Sequence, residues 1–157
     1  MKKILLLLLL FDSFFSFSQE RKQTLKVFTF SEVEKIQQQN PKPIIVFITT
    51  DWCKICHGMK STTFKDRDII QLLNEKFYFI QLNGEEKKDI TFLKKIFVHK
   101  PTGTNTGLHE LANQLGSVNS VMVYPTTTFL NTKFEIDLQL TGFYNTKRMK
   151  QMLAKYN

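Results

Sequence analysis

Pro43-Ile44-Ile45-Val46-Phe47-Ile48-Thr49, followed almost at once by Trp52-Cys53-Lys54-Ile55-Cys56, is the stretch that decides the architecture of this chain. The first part is apolar on both faces, as expected of a central strand covered on each side. It delivers a Cys-x-x-Cys pair at its C-terminal end, where open α/β sheets keep their sites. These are the only two cysteines in the chain.

Their spacing puts both sulfurs within one helical turn, so that one can attack a partner disulfide and the other can resolve the mixed disulfide that results. A thiolate at a helix N-terminus meets unpaired N–H groups and the positive end of the dipole, which lowers its pKa from about 8.5 into roughly the 3.5–7.5 range. Cys53 is expected to be the exposed nucleophile and Cys56, one turn in, the more buried resolving thiol. A purely structural disulfide is the competing reading. Closing so short a loop constrains the unfolded chain by only about 2 kcal/mol, against about 4.7 for a loop of a hundred residues. Redox or sulfur-ligand chemistry is therefore favoured.

Outward from the motif the elements alternate. Val27-Phe28-Thr29-Phe30 reads as a short strand, and Ser31-Glu32-Val33-Glu34 as a capping box opening a helix that ends at Asn40-Pro41. From Cys53 a helix is expected to about Ser61, then another over Asp66 to Glu75, then a strand at Phe77 to Leu82. Ile90 to Lys100 fits helical spacing and a hairpin equally. His99 to Gly107 reads as a loop, and Leu108 to Leu115 as a short helix stopped by Gly116. Val121 to Leu130 and Phe134 to Leu140, either side of a turn at Asn131-Thr132-Lys133, read as adjacent antiparallel strands. Thr146 to Tyr156 closes the chain as an amphipathic helix.

Residues Met1 to Ser18 read as a secretory signal, with Lys2-Lys3, the apolar run Ile4 to Phe11, and small residues at Ser16-Phe17-Ser18. That run is too short to span a bilayer, although an uncleaved anchor helped by Phe14 and Phe15 is the alternative. Residues 19–157 are then a single domain, exported to the periplasm or the exterior, where a poised dithiol implies a redox partner. The chain carries 22 basic and 14 acidic residues, a net charge of +8. A solvated basic surface is the favoured account of this, with attraction to an anionic membrane or to acidic partners as the alternative. No aromatic residues interleave with the lysines as in single-strand nucleic-acid binders, and a nucleic-acid partner is not expected.

The order of elements, Trp52-Cys53-x-x-Cys56, Tyr124-Pro125-Thr126 and Gly142 before the last helix together resemble the thioredoxin superfamily over roughly Val27 to Tyr156. Asp51-Trp52-Cys53-Lys54-Ile55-Cys56, Thr63-Phe64-Lys65-Asp66 and Leu82-Asn83 resemble most its exported branch, which includes the C-terminal domain of the thiol:disulfide interchange protein DsbD. The resemblance implies an α/β thioredoxin-like fold, a central mixed sheet flanked by helices. It implies an enzyme, a protein thiol–disulfide oxidoreductase that reduces protein disulfides and is recharged by an upstream thiol donor, for which a membrane-bound protein is one candidate. No cofactor beyond the redox-active disulfide is implied. By the same resemblance Pro125 is a cis-proline facing the cysteines, and Tyr124 and Pro125 form the edge that aligns a substrate. Trp52 and Lys54 support the site, Trp52 by packing beside the motif and Lys54 by its charge.

Three positions depart from the family pattern. Phe47 occupies the aligned place of a buried aspartate and Gln81 that of its companion lysine, so proton transfer at Cys56 must use water, another carboxylate or neither. The motif interior is Lys54-Ile55 rather than Gly-Pro. Cys56 and Pro125 lie 69 residues apart, which places an insertion at about residues 87–117.

Two other chemistries remain open at this level. Cys53-x-x-Cys56-His57 matches the attachment motif of c-type haem. Two thiolates and His57, completed by His99 or His109, would suit Cu(I) or Zn, although lone histidines in such loops are usually solvated.

Overall fold

The computed structural model describes residues 23–104 and 106–156. The expected signal segment, residues 1–18, lies outside the described residues. Among those described, no helix is long and apolar enough to cross a membrane.

Helix α1 spans Phe30–Gln37, strand β1 Ile44–Thr49, helix α2 Lys54–Ser61, helix α3 Arg67–Lys76 and strand β2 Tyr78–Asn83, with a 3-10 turn at Thr63–Lys65. Two small hairpins follow: β3 (Ile90–Phe92) with β4 (Lys95–Phe97), and β5 (His99–Pro101) with β6 (Gly107–His109). Helix α4 (Glu110–Gly116), strands β7 (Thr126–Leu130) and β8 (Ile136–Thr141), and helix α5 (Thr146–Tyr156) complete the chain. The main sheet has the order β2-β1-β7-β8. β1 runs parallel to β2 and antiparallel to β7, which is antiparallel to β8. The sheet is mixed and helices cover both faces.

β1 is buried at all six positions, because its alternate side chains feed two cores. Ile44, Val46 and Ile48 join Phe30, Val33, Leu111 and Leu115 on one face, under α1 and α4. Ile45 and Phe47 join Cys56, Met59, Leu73, Phe129 and Leu153 on the other, under α2, α3 and α5. Each buried leucine-sized side chain contributes about 1.5–3 kcal/mol, so β1 anchors the element that carries the cysteines.

Several elements differ from the sequence-based expectation. The first strand reduces to one bridge between Phe28 and Ile80, since the chain turns into a helix at Phe30. The capping box is Thr29 with Glu32, not Ser31 with Glu34: Glu32 N–H donates to Thr29 Oγ1 at 3.2 Å and Thr29 N–H to Glu32 Oε2 at 2.7 Å. Moving the cap back two residues buries Phe30 and Val33 together. Ile90 to Phe97 forms a hairpin, which puts Phe92 and Phe97 into the core. Helix α4 starts at Glu110 because His109 ends a strand and caps the helix. β7 begins only at Thr126 and β8 at Ile136, with Val121 reduced to a bridge to Val118.

Candidate active site

The turn after β1 brings Cys53 to the N-cap of α2, with φ −75° and ψ 93°. Cys53 N–H donates to the Thr50 carbonyl at 3.3 Å, and His57 N–H donates to the Cys53 carbonyl at 3.1 Å. The Cys56 N–H donates to Cys53 Sγ at 3.2 Å. Cys53 and Cys56 are joined as a disulfide, with S–S 2.00 Å and Cα–Cα 5.3 Å. On reduction that same N–H and the helix N-terminus would favour a Cys53 thiolate. Cys56 is fully enclosed, whereas Cys53 is only 6% exposed. That corrects the expectation of an open Cys53: its sulfur turns inward to Cys56, and Tyr124 packs against the same cluster.

A clasp stands beside the disulfide. The Tyr124–Pro125 peptide is cis, Pro125 is buried, and the Pro125 carbonyl accepts from Gly142 N–H at 2.8 Å. The Trp52 ring meets Tyr124 edge to face, centroids 5.7 Å apart. Trp52 Nε1 donates to Glu85 Oε2 at 3.2 Å. Trp52 is nevertheless 63% exposed, so it flanks the motif and does not shield it. Burial, and after it the Glu85 carboxylate, push the Tyr124 hydroxyl up to about 12. Lys54 and Ile55 face solvent.

Gly84 and Glu85 belong to this site and were missed from sequence. The phenol of Tyr124 lies directly on Gly84: a Cβ there would sit 2.2 Å from the Tyr124 hydroxyl oxygen. The turn signal Asn83-Gly84 after a strand could have drawn attention to it. Gly84 N–H donates to the Thr49 carbonyl at 2.7 Å, and His109 N–H donates to the Gly84 carbonyl at 2.7 Å. The hairpin-rich segment between β2 and β7 is thus tied by its backbone to the loop under Tyr124.

Phe47, in place of an acid, is fully buried and packs on Phe64 (4.7 Å) and Phe79 (6.4 Å). Gln81 lies opposite it in register and is exposed. Among the described residues no Asp or Glu side chain is buried. Thr127, opposite Phe47 on β7, and Thr50 both carry buried hydroxyls without a hydrogen-bond partner.

The three histidines form no metal-holding group with one another or with the cysteines among the described residues. His57 Nε2 is 2.8 Å from the Asp51 carbonyl. His99 and His109 face each other across β5 and β6. His109 is fully buried, not solvated, with Nδ1 accepting from Leu111 N–H at 3.2 Å. Among the described residues no three His, Cys, Asp or Glu side chains are grouped to hold a metal ion.

The sequence model of the family described as "Thioredoxin-like domain" matches residues 30–157. The chain belongs to that thioredoxin-like family. A stretch of this thioredoxin-like chain is 32% identical over 65 residues to mouse spermatogenesis-associated protein 20, covering 41% of the chain and 8% of that protein. Another is 30% identical over 73 residues to the thiol:disulfide interchange protein DsbD of Campylobacter jejuni, covering 46% of the chain and 13% of DsbD. The matched parts are about a tenth of these relatives' lengths. The solution structure of a thioredoxin from Thermus thermophilus superposes with a TM-score of 0.60 at 18% identity, covering 85% of this chain and 87% of that one. At that identity the likeness is one of fold.

Proposed function

We propose that this thioredoxin-like domain catalyses thiol–disulfide exchange, reducing protein disulfides outside the cytoplasm. The observation that carries the reading is Cys53 at the N-cap of α2 with the Cys56 N–H directed at its sulfur; Tyr124 packs against the cluster that holds both cysteines. In the reduced state the Cys53 thiolate attacks one sulfur of a substrate disulfide, forming a mixed disulfide and expelling one substrate thiolate. Cys56, deprotonated, then attacks Cys53 Sγ and expels the second substrate thiolate. Two electrons pass to the substrate, whose thiolates take up the two protons released, and Cys53–Cys56 is left oxidised. A thiol donor, membrane-bound in this reading, returns the pair to the dithiol; the partial likeness to a thiol:disulfide interchange protein supports such an exchange. Tyr124 and Pro125 align the substrate segment, with Trp52 and Lys54 at its flank.

The test is the equilibrium reduction potential of Cys53–Cys56, read by thiol alkylation and mass in a dithiothreitol series. A reversible two-electron couple near the thioredoxin value of about −270 mV is expected; one near about −120 mV would make the protein an oxidant. Cys56→Ser should accumulate mixed disulfides on non-reducing gels and Cys53→Ser none. Failure of Cys56→Ser to trap anything would refute the order of attack, and a Soret band or bound metal would move the cysteines to a ligand role.

A further inference from the structure

The β3–β4 hairpin has a feature that thiol chemistry does not use. Phe92 pairs with Lys95, leaving Leu93-Lys94 as a two-residue loop, and both have left-handed backbones, φ 51° and 63°. Such a type I′ turn is relaxed by Asn-Gly and strained by Leu-Lys. The residues held there at that cost point outward. Leu93 is 50% exposed and Ile96, on the outer face of β4, 61%.

The inner face is firmly seated. Phe92 and Phe97 are buried, and Phe92 packs on Phe30 (4.9 Å) and Phe134 (5.4 Å). Leu93 N–H donates to Glu34 Oε1 at 2.9 Å. The apolar tip therefore projects from a rigid base. Along the segment lysines dominate: residues 87–100 hold five, Lys87, Lys88, Lys94, Lys95 and Lys100, against one acid, Asp89, while the carboxylate of Glu34 on α1 is held by the Leu93 N–H. The nearby carboxylate of Glu86 accepts the backbone N–H groups of Lys87 and Lys88, and Glu110 pairs with Lys100.

We propose that this hairpin docks on an anionic phospholipid surface, inserting Leu93 and Ile96 between headgroups while Lys88, Lys94 and Lys95 meet lipid phosphates. Two exposed apolar side chains with Lys94 and Lys95 between them match that surface: the apolar groups leave water and the lysines find opposite charge. A protein groove would leave the lysines to be matched one by one. The proposal is independent of the redox reading.

The test uses the full oxidised chain and large vesicles of phosphatidylcholine with or without 30% phosphatidylglycerol. Ile96→Trp places a reporter on the hairpin itself, and Trp52 in the parent chain supplies the reference spectrum, so the apolar run near the N-terminus does not confuse the readout. A blue shift at position 96 is expected with anionic vesicles, with quenching by brominated lipid. Lys94→Gln with Lys95→Gln should shift the vesicle titration of that reporter about 25-fold to higher lipid, about fivefold per lysine, and salt should weaken binding. Leu93→Asn with Lys94→Gly in the reporter chain should reduce the shift while leaving the thermal midpoint equal or higher, because that pair suits the turn. The proposal is overturned by an unshifted Ile96→Trp spectrum on bound protein, by equal response to zwitterionic vesicles, or by a concentration-dependent shift without lipid, which would mean self-association.

Discussion

Gly84→Ala offers a sharp test of the clasp beside the disulfide. An added Cβ would lie 2.2, 2.5 and 2.6 Å from Tyr124 Oη, Cε1 and Cζ, and these three are its nearest neighbours. Carbon contacts are optimal at about 3.5–4.0 Å, so the phenol must retreat by about 1 Å or more. The backbone of Gly84 is not in the left-handed region, which leaves the clash with Tyr124 as the dominant cost. Overpacking of this kind costs about 1–3 kcal/mol. The magnitude is best isolated as a coupling: in a Tyr124→Ala background Gly84→Ala should be neutral within about 0.5 kcal/mol, so nearly the whole cost appears as interaction energy. Urea unfolding of the four oxidised proteins measures the cycle. Trp52, the single tryptophan of the chain, should report locally, because the ring that moves is the one it meets edge to face. Equal costs of Gly84→Ala in both backgrounds would refute the argument and remove Tyr124 from its place over Gly84.

Other outcomes follow from the same geometry. Thr127→Val removes a buried hydroxyl that has no partner and should raise stability by about 1 kcal/mol in urea melts; a loss of that size would mean the hydroxyl is bonded after all. Asp66→Ala deletes the cap that accepts from the Asp68 and Ile69 N–H groups and the partner of Lys150 at 3.1 Å. It should cost about 0.5–2 kcal/mol, and an unchanged urea midpoint would refute the capping role. Burial lowers the His109 pKa, outweighing the Lys88 and Phe97 carbonyls and the Glu86 and Glu110 carboxylates that pull it upward. With the folded value below the unfolded one of about 6.5, the unfolded chain binds the extra proton. Stability is then full above about pH 6.5 and falls with decreasing pH toward the folded value, by up to about 1.4 kcal/mol per pH unit. His109→Gln should flatten that slope in urea melts between pH 7.5 and 5.5; an unchanged slope would refute it.

Much of this was legible in the chain itself. The unbroken apolar run Ile44 to Ile48 pointed to a strand buried on both faces, because it is too short for a buried helix and rich in β-branched residues. The cysteine spacing determined a pair that one helical turn brings together, and the backbone N–H groups of that turn are local to the sequence. Gly84 and Glu85 were not legible as parts of the site. Their importance comes from Tyr124 and Trp52, which lie far away in sequence, and no local pattern encodes a contact across the sheet. The burial of His109 was equally hidden, since a lone histidine before a short helix looks like any solvated loop residue until a hairpin folds over it.

The ambiguous segment Ile90 to Lys100 shows the same division. Its periodicity suits helix and hairpin alike, and the choice falls to Phe92 and Phe97, which as strand residues enter the core, Phe92 against Phe30 and Phe134, while Leu93 and Ile96 are left outside. The sequence alone determined that the two sulfurs meet, because that depends on neighbours within one turn. Tertiary structure alone decided what surrounds them and which apolar residues face solvent, because those depend on packing between segments that the chain keeps far apart.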